Sequence, residues 1–190
     1  NGAYSSSFSA QDSGDLTITG GNFTSEGGAA CIFNYFTDVK PVITGGTFSS
    51  NVSAYCAEGY QTATIGGKTV VVTDTADPVA TVGEYGFNTL NNAFAVAQGN
   101  DTIVLQQNTE VNLSVIISDG RQLTLDMNGY DVGFAYLKNI SIYHGSLNIT
   151  GSGKLYETKP YYAPVILYGS NGDVADYTTV TVGENVTLEG

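Results

Sequence analysis

The sequence has few basic residues. Its 190 residues include 6 Lys and Arg against 18 Asp and Glu, which gives a formal net charge of −12. Nucleic acids and anionic membrane surfaces bind proteins through clustered Lys and Arg, so this composition argues against both as partners. The chain also lacks an apolar run long enough to insert into a membrane. Hydrophobic residues make up 42% of the chain, which is enough for a folded core.

Arginine and histidine are also scarce. The chain has one arginine, Arg121, and one histidine, His144, and it has no Cys/His set of the kind that binds zinc. His144 has no carboxylate or nucleophile beside it in the sequence, so we interpret it as a turn residue. The alternation of residues 123–127 points Asp126 outward, but no second acid shares its motif. We expect Asp126 to bond backbone amides at the Asn128 turn.

One short stretch occurs twice. Residues 18–23 read ITGGNF and residues 43–48 read ITGGTF, a step of 25 residues. A fixed step in this range is typical of stacked repeats, and β-branched runs that end at Gly-Gly favour short strands and tight turns. The repeat therefore predicts an all-β fold, a parallel β-helix or solenoid with about 24–25 residues per coil. The alignment continues over three further pairs: Ala29 with Ala54, Cys31 with Cys56, and Tyr35 with Tyr60.

This alignment places Cys31 and Cys56 at equivalent positions on adjacent coils, about 4.8 Å apart. Such a separation would allow a disulfide between the coils. The alternative is that both thiols act as small buried hydrophobic side chains. We favour this alternative because in-register side chains point the same way rather than toward each other.

The middle of the chain contains two features that would cover solenoid ends. Residues 62–73 read as a β-hairpin around Gly-Gly and would cover the end of the first solenoid, and residues 74–78 read as a linker. A helix is predicted at residues 89–98, where Thr89 can cap its start. We expect its apolar face to cover the start of a second solenoid. That face consists of Leu90, Ala93, Phe94 and Ala97.

Coil-like sequence resumes after residue 101. The segments LTL at 123–125 and LNI at 147–149 align 24 residues apart, and the next match, VTL at 186–188, lies 39 residues further on. We attribute the excess to loop insertions at residues 154–163 and 169–178. Tyrosines are concentrated there and favour a binding surface, although they would equally serve to pack the loops onto the solenoid. The predicted binding residues are Tyr156, Lys159, Tyr161, Tyr162, Tyr168 and Tyr177.

The second loop insertion also contains the oxygen ligands that calcium takes. Residues 171–173 read NGD and are followed by Asp176. The loop lacks the 12-residue spacing and the final Glu of a known calcium loop. We therefore favour a solvated acidic turn and expect no metal ion and no other cofactor.

Several of these stretches carry a resemblance to a known family. Residues 78–90, the predicted helix, and residues 101–105 and 123–129 are similar to the start of a module found in large cell-surface proteins of gut Firmicutes. Residues 43–60 resemble the end of such a module, although Cys56 stands where an aliphatic residue is expected. The resemblance implies right-handed parallel β-helices of the pectin-lyase-like shape, often in tandem.

The resemblance also implies a domain organisation. Residues 1–75 would be the C-terminal coils and capping hairpin of one β-helix module. Residues 79–190 would be the capping helix and N-terminal coils of a second module. Because the chain begins and ends within repeat-like sequence, we expect it to be part of a longer protein and its open coil ends to associate end to end.

For function, the resemblance implies a non-catalytic module on the bacterial cell surface or in a secreted protein. Such a module would be a stalk or adhesin that binds a host protein, with secreted immunoglobulin as the candidate by analogy, or a host glycan. The alternative is a carbohydrate-active β-helix enzyme, because the pectin-lyase-like shape also hosts polysaccharide lyases and hydrolases. The enzyme hypothesis predicts that two or more of four acids converge in a groove: Asp126, Asp131, Asp173 and Asp176.

Overall fold

The computed structural model describes residues 8–10, 16–34, 40–74, 77–159, 162–168 and 178–190. The chain divides into two compact units, Asn1–Ala76 and Asp77–Gly190. Both units are built from stacked parallel coils, and together they contain about six turns of β-solenoid. The predicted all-β solenoid is therefore confirmed. The assignment of the two halves to successive modules stays a prediction.

The first unit stacks its coils through three parallel strand pairs. The strands of this unit are β1 (Phe8–Ala10), β2 (Thr17–Ile18), β3 (Asn22–Phe23), β4 (Ile32–Asn34), β5 (Val42–Ile43), β6 (Gly46–Phe48), β7 (Tyr60–Ile65) and β8 (Lys68–Thr73). The parallel pairs are β1 with β4, β2 with β5 and β3 with β6. A short 3-10 helix lies at Ser53–Tyr55. Ile18 pairs with Ile43 and Phe23 with Phe48, so the coils keep the 25-residue step of the repeat.

The repeated ITGG motif shapes the core of this unit. Gly21 and Gly46 take φ angles of 108° and 115°, which side-chain-bearing residues rarely adopt. Each turn lets the chain bring a phenylalanine back toward the core, and the rings of Phe23 and Phe48 stack with centroids 4.9 Å apart and planes 7° apart. Ile43 and Phe48 are fully buried.

After Phe48 the repeat ends. Cys56 forms an isolated parallel bridge with Ile43, because the 3-10 helix brings the chain back after about half a coil. Cys56 therefore does not occupy the position on the next coil that corresponds to Cys31, and the predicted alignment of these two residues is wrong. Both cysteines are free. The predicted hairpin is confirmed: β7 pairs with β8 in antiparallel fashion, and β8 also pairs with β6 at the edge of the coil stack.

The second unit consists of three parallel sheets, one strand of each per coil. The first sheet contains β11, β14, β17 and β20, the second β12, β15, β18 and β21, and the third β13, β16 and β19. In chain order, the strands of this unit are β9 (Ala80–Val82), β10 (Tyr85–Phe87), β11 (Thr102–Leu105), β12 (Thr109–Val111), β13 (Val115–Ile117), β14 (Arg121–Asp126), β15 (Val132–Phe134), β16 (Ile140–Ile142), β17 (Gly145–Thr150), β18 (Gly153–Glu157), β19 (Val165–Leu167), β20 (Thr179–Val182) and β21 (Val186–Glu189).

Inward-facing side chains of the second unit form columns that run from coil to coil. Each sheet contributes at least one apolar column, and burying each large aliphatic side chain contributes roughly 1.5–3 kcal/mol. The columns are Ile103–Leu125–Ile149–Val182, Val132–Leu155–Leu188 and Ile117–Ile142–Leu167. The members of each column in the earlier coils are essentially fully buried. The members in the last coil, Val182, Leu188 and Leu167, are 38%, 41% and 51% exposed.

The helix α1 (Leu90–Val96) begins as the sequence predicts and ends earlier. Thr89 caps it by accepting a hydrogen bond of 3.1 Å from the backbone amide of Asn92. The predicted apolar face is buried and packs against β9, β10, β11 and β12, at the start of the coil stack. The helix stops before the predicted residue 98 because the chain becomes extended at Ala97. The sequence did not predict the antiparallel pair β9–β10, which also extends the first sheet.

The last coil corrects the sequence alignment. Leu147 pairs with Val180, whereas residues 186–188 stack on β18 in the second sheet. Residues 154–157 belong to β18 and are not an insertion. The extra length lies between β19 and β20, largely at residues 169–177, which fall outside the described residues. The alignment failed because two similar segments, VTV at 180–182 and VTL at 186–188, lie in different sheets of the same coil.

The second-sheet column predicts a difference between two leucines. Leu155→Ala should lower the free energy of unfolding by about 2–5 kcal/mol, because it leaves a cavity in a buried column. Leu188→Ala, in the same column but 41% exposed, should lower it by less than about 1 kcal/mol. Urea denaturation followed by circular dichroism measures both values. Equal losses would contradict the described register or the exposure of the last coil.

Candidate binding surface

Four of the six predicted binding residues lie in the described part of the chain, and they do not form one cluster. Tyr156 lies in the second sheet, and its ring covers Gly133 of the preceding coil, where an added Cβ would lie 3.0 Å from the ring. That contact favours a packing role for Tyr156. Lys159 and Tyr162 are exposed in the connection after β18, and Tyr168 follows the third sheet. The other two, Tyr161 and Tyr177, lie outside the described residues.

The ring of Tyr168 stacks on a tyrosine that is not among the predicted binding residues. This residue is Tyr143, and the two rings have centroids 4.4 Å apart and planes 4° apart. The two follow Ile142 and Leu167, which pair in register, so they occupy equivalent positions on adjacent coils. We call this pair the tyrosine ladder. The two tyrosines are 25 residues apart, which equals the repeat step of the first unit. This spacing is the sequence signal from which the pair could have been predicted.

The tyrosine ladder belongs to a larger apolar face. Ile116, Ser141 and Ile166 pair in register and point away from the core of the third sheet, on the same side as Tyr143 and Tyr168. We call these five residues the third-sheet face. None of them is charged, and Ile116, Tyr143 and Tyr168 are 55%, 45% and 41% exposed. Exposed apolar patches of this kind mark interaction sites on soluble domains.

Arg121 has a structural role. Its guanidinium donates hydrogen bonds to the carbonyl oxygens of Phe94, at 2.8 Å, and Ala97, at 3.3 Å, at the end of α1, and to that of Ile116 at 2.6 Å. Burial lowers the pKa of Arg121, and the nearby carboxylate of Asp119 opposes that shift. The side chain thus ties the helix to the first coil. A half-buried cation with all these bonds is not oriented toward a substrate.

The two described acids of the enzyme hypothesis also bond the backbone. The Asp126 carboxylate accepts the amide of Asn128 at 2.9 Å, which confirms the predicted turn role. The Asp131 carboxylate accepts the amide of Lys154, one coil on, at 2.8 Å. Asp173, Asp176 and the predicted calcium loop lie outside the described residues. Within the described residues, no group of three or more His, Cys, Asp or Glu could hold a metal ion.

Cys31, in the first unit, lies among serine hydroxyls. Its Sγ lies 3.0 Å from Ser49 Oγ and 3.6 Å from Ser25 Oγ, and the backbone amide of Cys31 donates to Ser50 Oγ at 2.8 Å. Burial raises the pKa of the thiol, but hydrogen bonds with Ser49, Ser50 and Ser25 outweigh it and lower the pKa to about 7. Of the two thiols predicted to be buried hydrophobic side chains, Cys31 is fully buried but hydrogen-bonded to hydroxyl groups, and Cys56 is only half-buried.

Glu157 is an acidic residue at a buried position of the second unit. It faces inward two residues after Leu155 on β18, in register with Phe134, and only 8% of it is exposed. Within the described part of the chain, neither of its carboxylate oxygens has a hydrogen-bond partner. Burial raises the pKa of this carboxyl group because the charged form loses hydration.

Comparison with known proteins adds no relative. A scan against protein-family models matched no family, and searches of curated proteins and of solved structures found no significant match. In the described residues, no helix has the length and apolar character needed to cross a membrane.

The position of Glu157 predicts an unusual dependence of stability on pH. Because its pKa is raised in the folded state, the folded chain binds this proton more tightly than the unfolded chain. The contribution of Glu157 to stability is therefore greatest below the ordinary glutamate pKa and falls as the pH rises through the folded-state pKa. Glu157→Gln should raise the free energy of unfolding at pH 7 by roughly 1 kcal/mol or more and remove this dependence.

The measurement is urea denaturation between pH 4 and pH 7. Glu110→Gln is the matched control, because Glu110 is an exposed acid on β12 of the same sheet and its replacement should change little. If Glu157→Gln destabilises the chain at pH 7, then the carboxylate has a partner and the description of its burial is wrong.

Proposed function

We propose that this chain is a non-catalytic module of a bacterial cell-surface or secreted protein, and that it binds a host protein or glycan through the second unit. The module would be a right-handed parallel β-helix of the pectin-lyase-like shape, of the kind found in gut Firmicutes. Secreted immunoglobulin is the protein ligand that the sequence resemblance suggests. This proposal rests on that resemblance together with one structural observation, the third-sheet face.

The third-sheet face supports binding because it is uncharged, is held on a rigid support and has three exposed members, Ile116, Tyr143 and Tyr168, although Ser141 is buried. Its side chains project from parallel strands whose neighbours are fixed by backbone hydrogen bonds, so little conformational entropy is lost when a ligand is bound. Stacking restricts Tyr143 and Tyr168 further. Tyrosine is also enriched among residues that dominate binding energy, since it offers a large apolar surface and a hydroxyl group.

The roles of the charged residues support a binding module over an enzyme. Arg121 and Asp131 both bond backbone groups of neighbouring segments, and Asp126 bonds the amide of its own turn. Glycoside hydrolysis needs a pair of carboxyl groups aimed at one bond. Asp126 and Asp131 are each committed to a structural hydrogen bond, so nothing described favours the carbohydrate-active alternative.

The exposed last coil supports the stalk component of the proposal. Leu167, Val182 and Leu188 close one buried column in each sheet, yet each is more than a third exposed. In the described part of the chain, β19, β20 and β21 are the last strands of their sheets. A further solenoid coil placed there would bury all three residues and pair the three strand edges. End-to-end association at this position is therefore part of the proposal.

The test is capture of a ligand by the immobilised chain from host intestinal secretions and, separately, capture of purified secreted immunoglobulin. The double variant Ile116→Ser/Tyr168→Ser should weaken binding at least about tenfold, because it removes two exposed members of the third-sheet face. Tyr136→Ser is the matched control, since Tyr136 is 49% exposed but lies in a different turn of the same unit. Its binding should stay within about twofold of the parent chain.

Absence of any captured ligand would contradict the adhesive part of the proposal. Capture that the Ile116→Ser/Tyr168→Ser variant leaves unchanged would remove the third-sheet face as the site. Cleavage of a captured glycan during the assay would overturn the non-catalytic assignment.

A further inference from the structure

The tyrosine ladder has no aromatic member on the preceding coil, and we call the position of Ser118 there its missing rung. Ile117 pairs with Ile142 and Ile142 with Leu167, so Ser118, Tyr143 and Tyr168 each follow directly after a paired position on three successive coils. The turn that begins at Ser118 is one residue longer than the turn that begins at Tyr143. Two of these positions hold stacked aromatic rings and the first holds a serine. Adjacent coils are about 4.8 Å apart, which exceeds the thickness of a ring by little. The first position therefore leaves room for one flat group against Tyr143.

Among the described residues, no second aromatic ring stacks on the face of Tyr143 that lies toward Ser118. Tyr168 covers one face of the Tyr143 ring at a centroid distance of 4.4 Å, and the rings are parallel within 4°. The opposite face must then point along the stack toward Ser118, whose side chain is too small to cover it. Tyr143 is 45% exposed even though it is stacked, which agrees with one free face.

Polar groups border the open face. The hydroxyl of Ser118 donates to the carboxylate of Asp119 at 2.9 Å, and both residues lie in the turn below Tyr143. The amide of Gly120 donates to the carbonyl of His144 at 3.1 Å, which holds this turn against the next one. A ligand on the ring face would thus meet a hydroxyl and a carboxylate, both able to accept hydrogen bonds.

We propose that the open face of Tyr143 binds a neutral saccharide, whose pyranose ring occupies the missing rung of the ladder. One face of such a ring consists of C–H groups, which pack on the negative face of an aromatic ring, while its hydroxyls donate to acceptors at the rim. This inference rests on the proposed function and assigns the chemistry of its ligand and the position of contact.

Size and charge favour a sugar over the other possible occupants. The space beside the Tyr143 ring is about one coil spacing, roughly 4.8 Å, which admits a single flat ring and no thicker group. A second copy of the chain would also bring its net charge of −12. Asp119 at the rim and this net charge both disfavour sialylated or sulfated sugars, so the saccharide is uncharged.

Saturation-transfer-difference NMR with methyl β-D-galactopyranoside, whose C–H face is uninterrupted over several carbons, tests the inference on the full chain. The protons of that face should receive the strongest saturation, with a dissociation constant on the order of 1–10 mM, as expected for so small a ligand. Sorbitol, a polyol without a ring, is the negative control and should show no transfer.

Three variants locate the site. Tyr143→Ala should abolish the transfer, whereas Tyr143→Phe should keep it within about threefold, because stacking needs the ring and not the hydroxyl. Ser118→Tyr should also abolish it, by filling the missing rung, without lowering the melting temperature. This last variant keeps the test valid if Tyr143→Ala unfolds the coil.

Binding that survives Ser118→Tyr would overturn the inference, as would the absence of transfer to the parent chain. This outcome is separate from that of the proposed function. Capture of secreted immunoglobulin with no glycoside signal would leave the proposed function in place and remove the saccharide site. A glycoside signal with no captured host protein would keep the saccharide site and remove the host-protein part of the proposed function.

Discussion

In-register hydrogen bonding between successive coils is the constraint on which this structure depends. Each strand of the second unit from β11 onward pairs in parallel with the equivalent strand one coil away, so a residue lies directly above its counterpart. Since side chains alternate between the two faces of a strand, a slip of one residue would expose every buried column. The column from Ile103 to Val182 shows the result, in which aliphatic residues repeat at one inward position of the first sheet.

The same constraint organises the outer surface. Outward residues stack as regularly as inward ones, and this brings Tyr143 and Tyr168 face to face. Polar side chains follow the pattern as well, since the side-chain oxygen of Asn108 accepts the amide of Asp131, whose carboxylate accepts the amide of Lys154. The surface that supports the proposed function is therefore a product of the repeat. A ladder of identical side chains also makes a missing member, such as the rung at Ser118, a defined site.

The sequence was informative where a motif constrained the backbone. The repeated ITGG segments require glycine conformations and gave the register of the first unit, and Thr89 gave the start of the helix. It was misleading where only hydrophobic pattern was available. Residues 186–188 resemble residues 123–125, but a solenoid has several apolar strands in every coil, so pattern alone does not say which sheet a strand joins. Glu157, an acid at an inward position, could not be recognised until the register was known.

Contacts between methyl groups of the last two coils test the in-register stacking of the coils. Nuclear Overhauser effects in a methyl-labelled sample report pairs within about 5 Å, which is the spacing of neighbouring coils. The described register predicts a cross-peak between Leu147 and Val180 and another between Leu155 and Leu188. A cross-peak between Leu147 and Val186 in their place would mean that the last coil is stacked in a different register and would contradict the account.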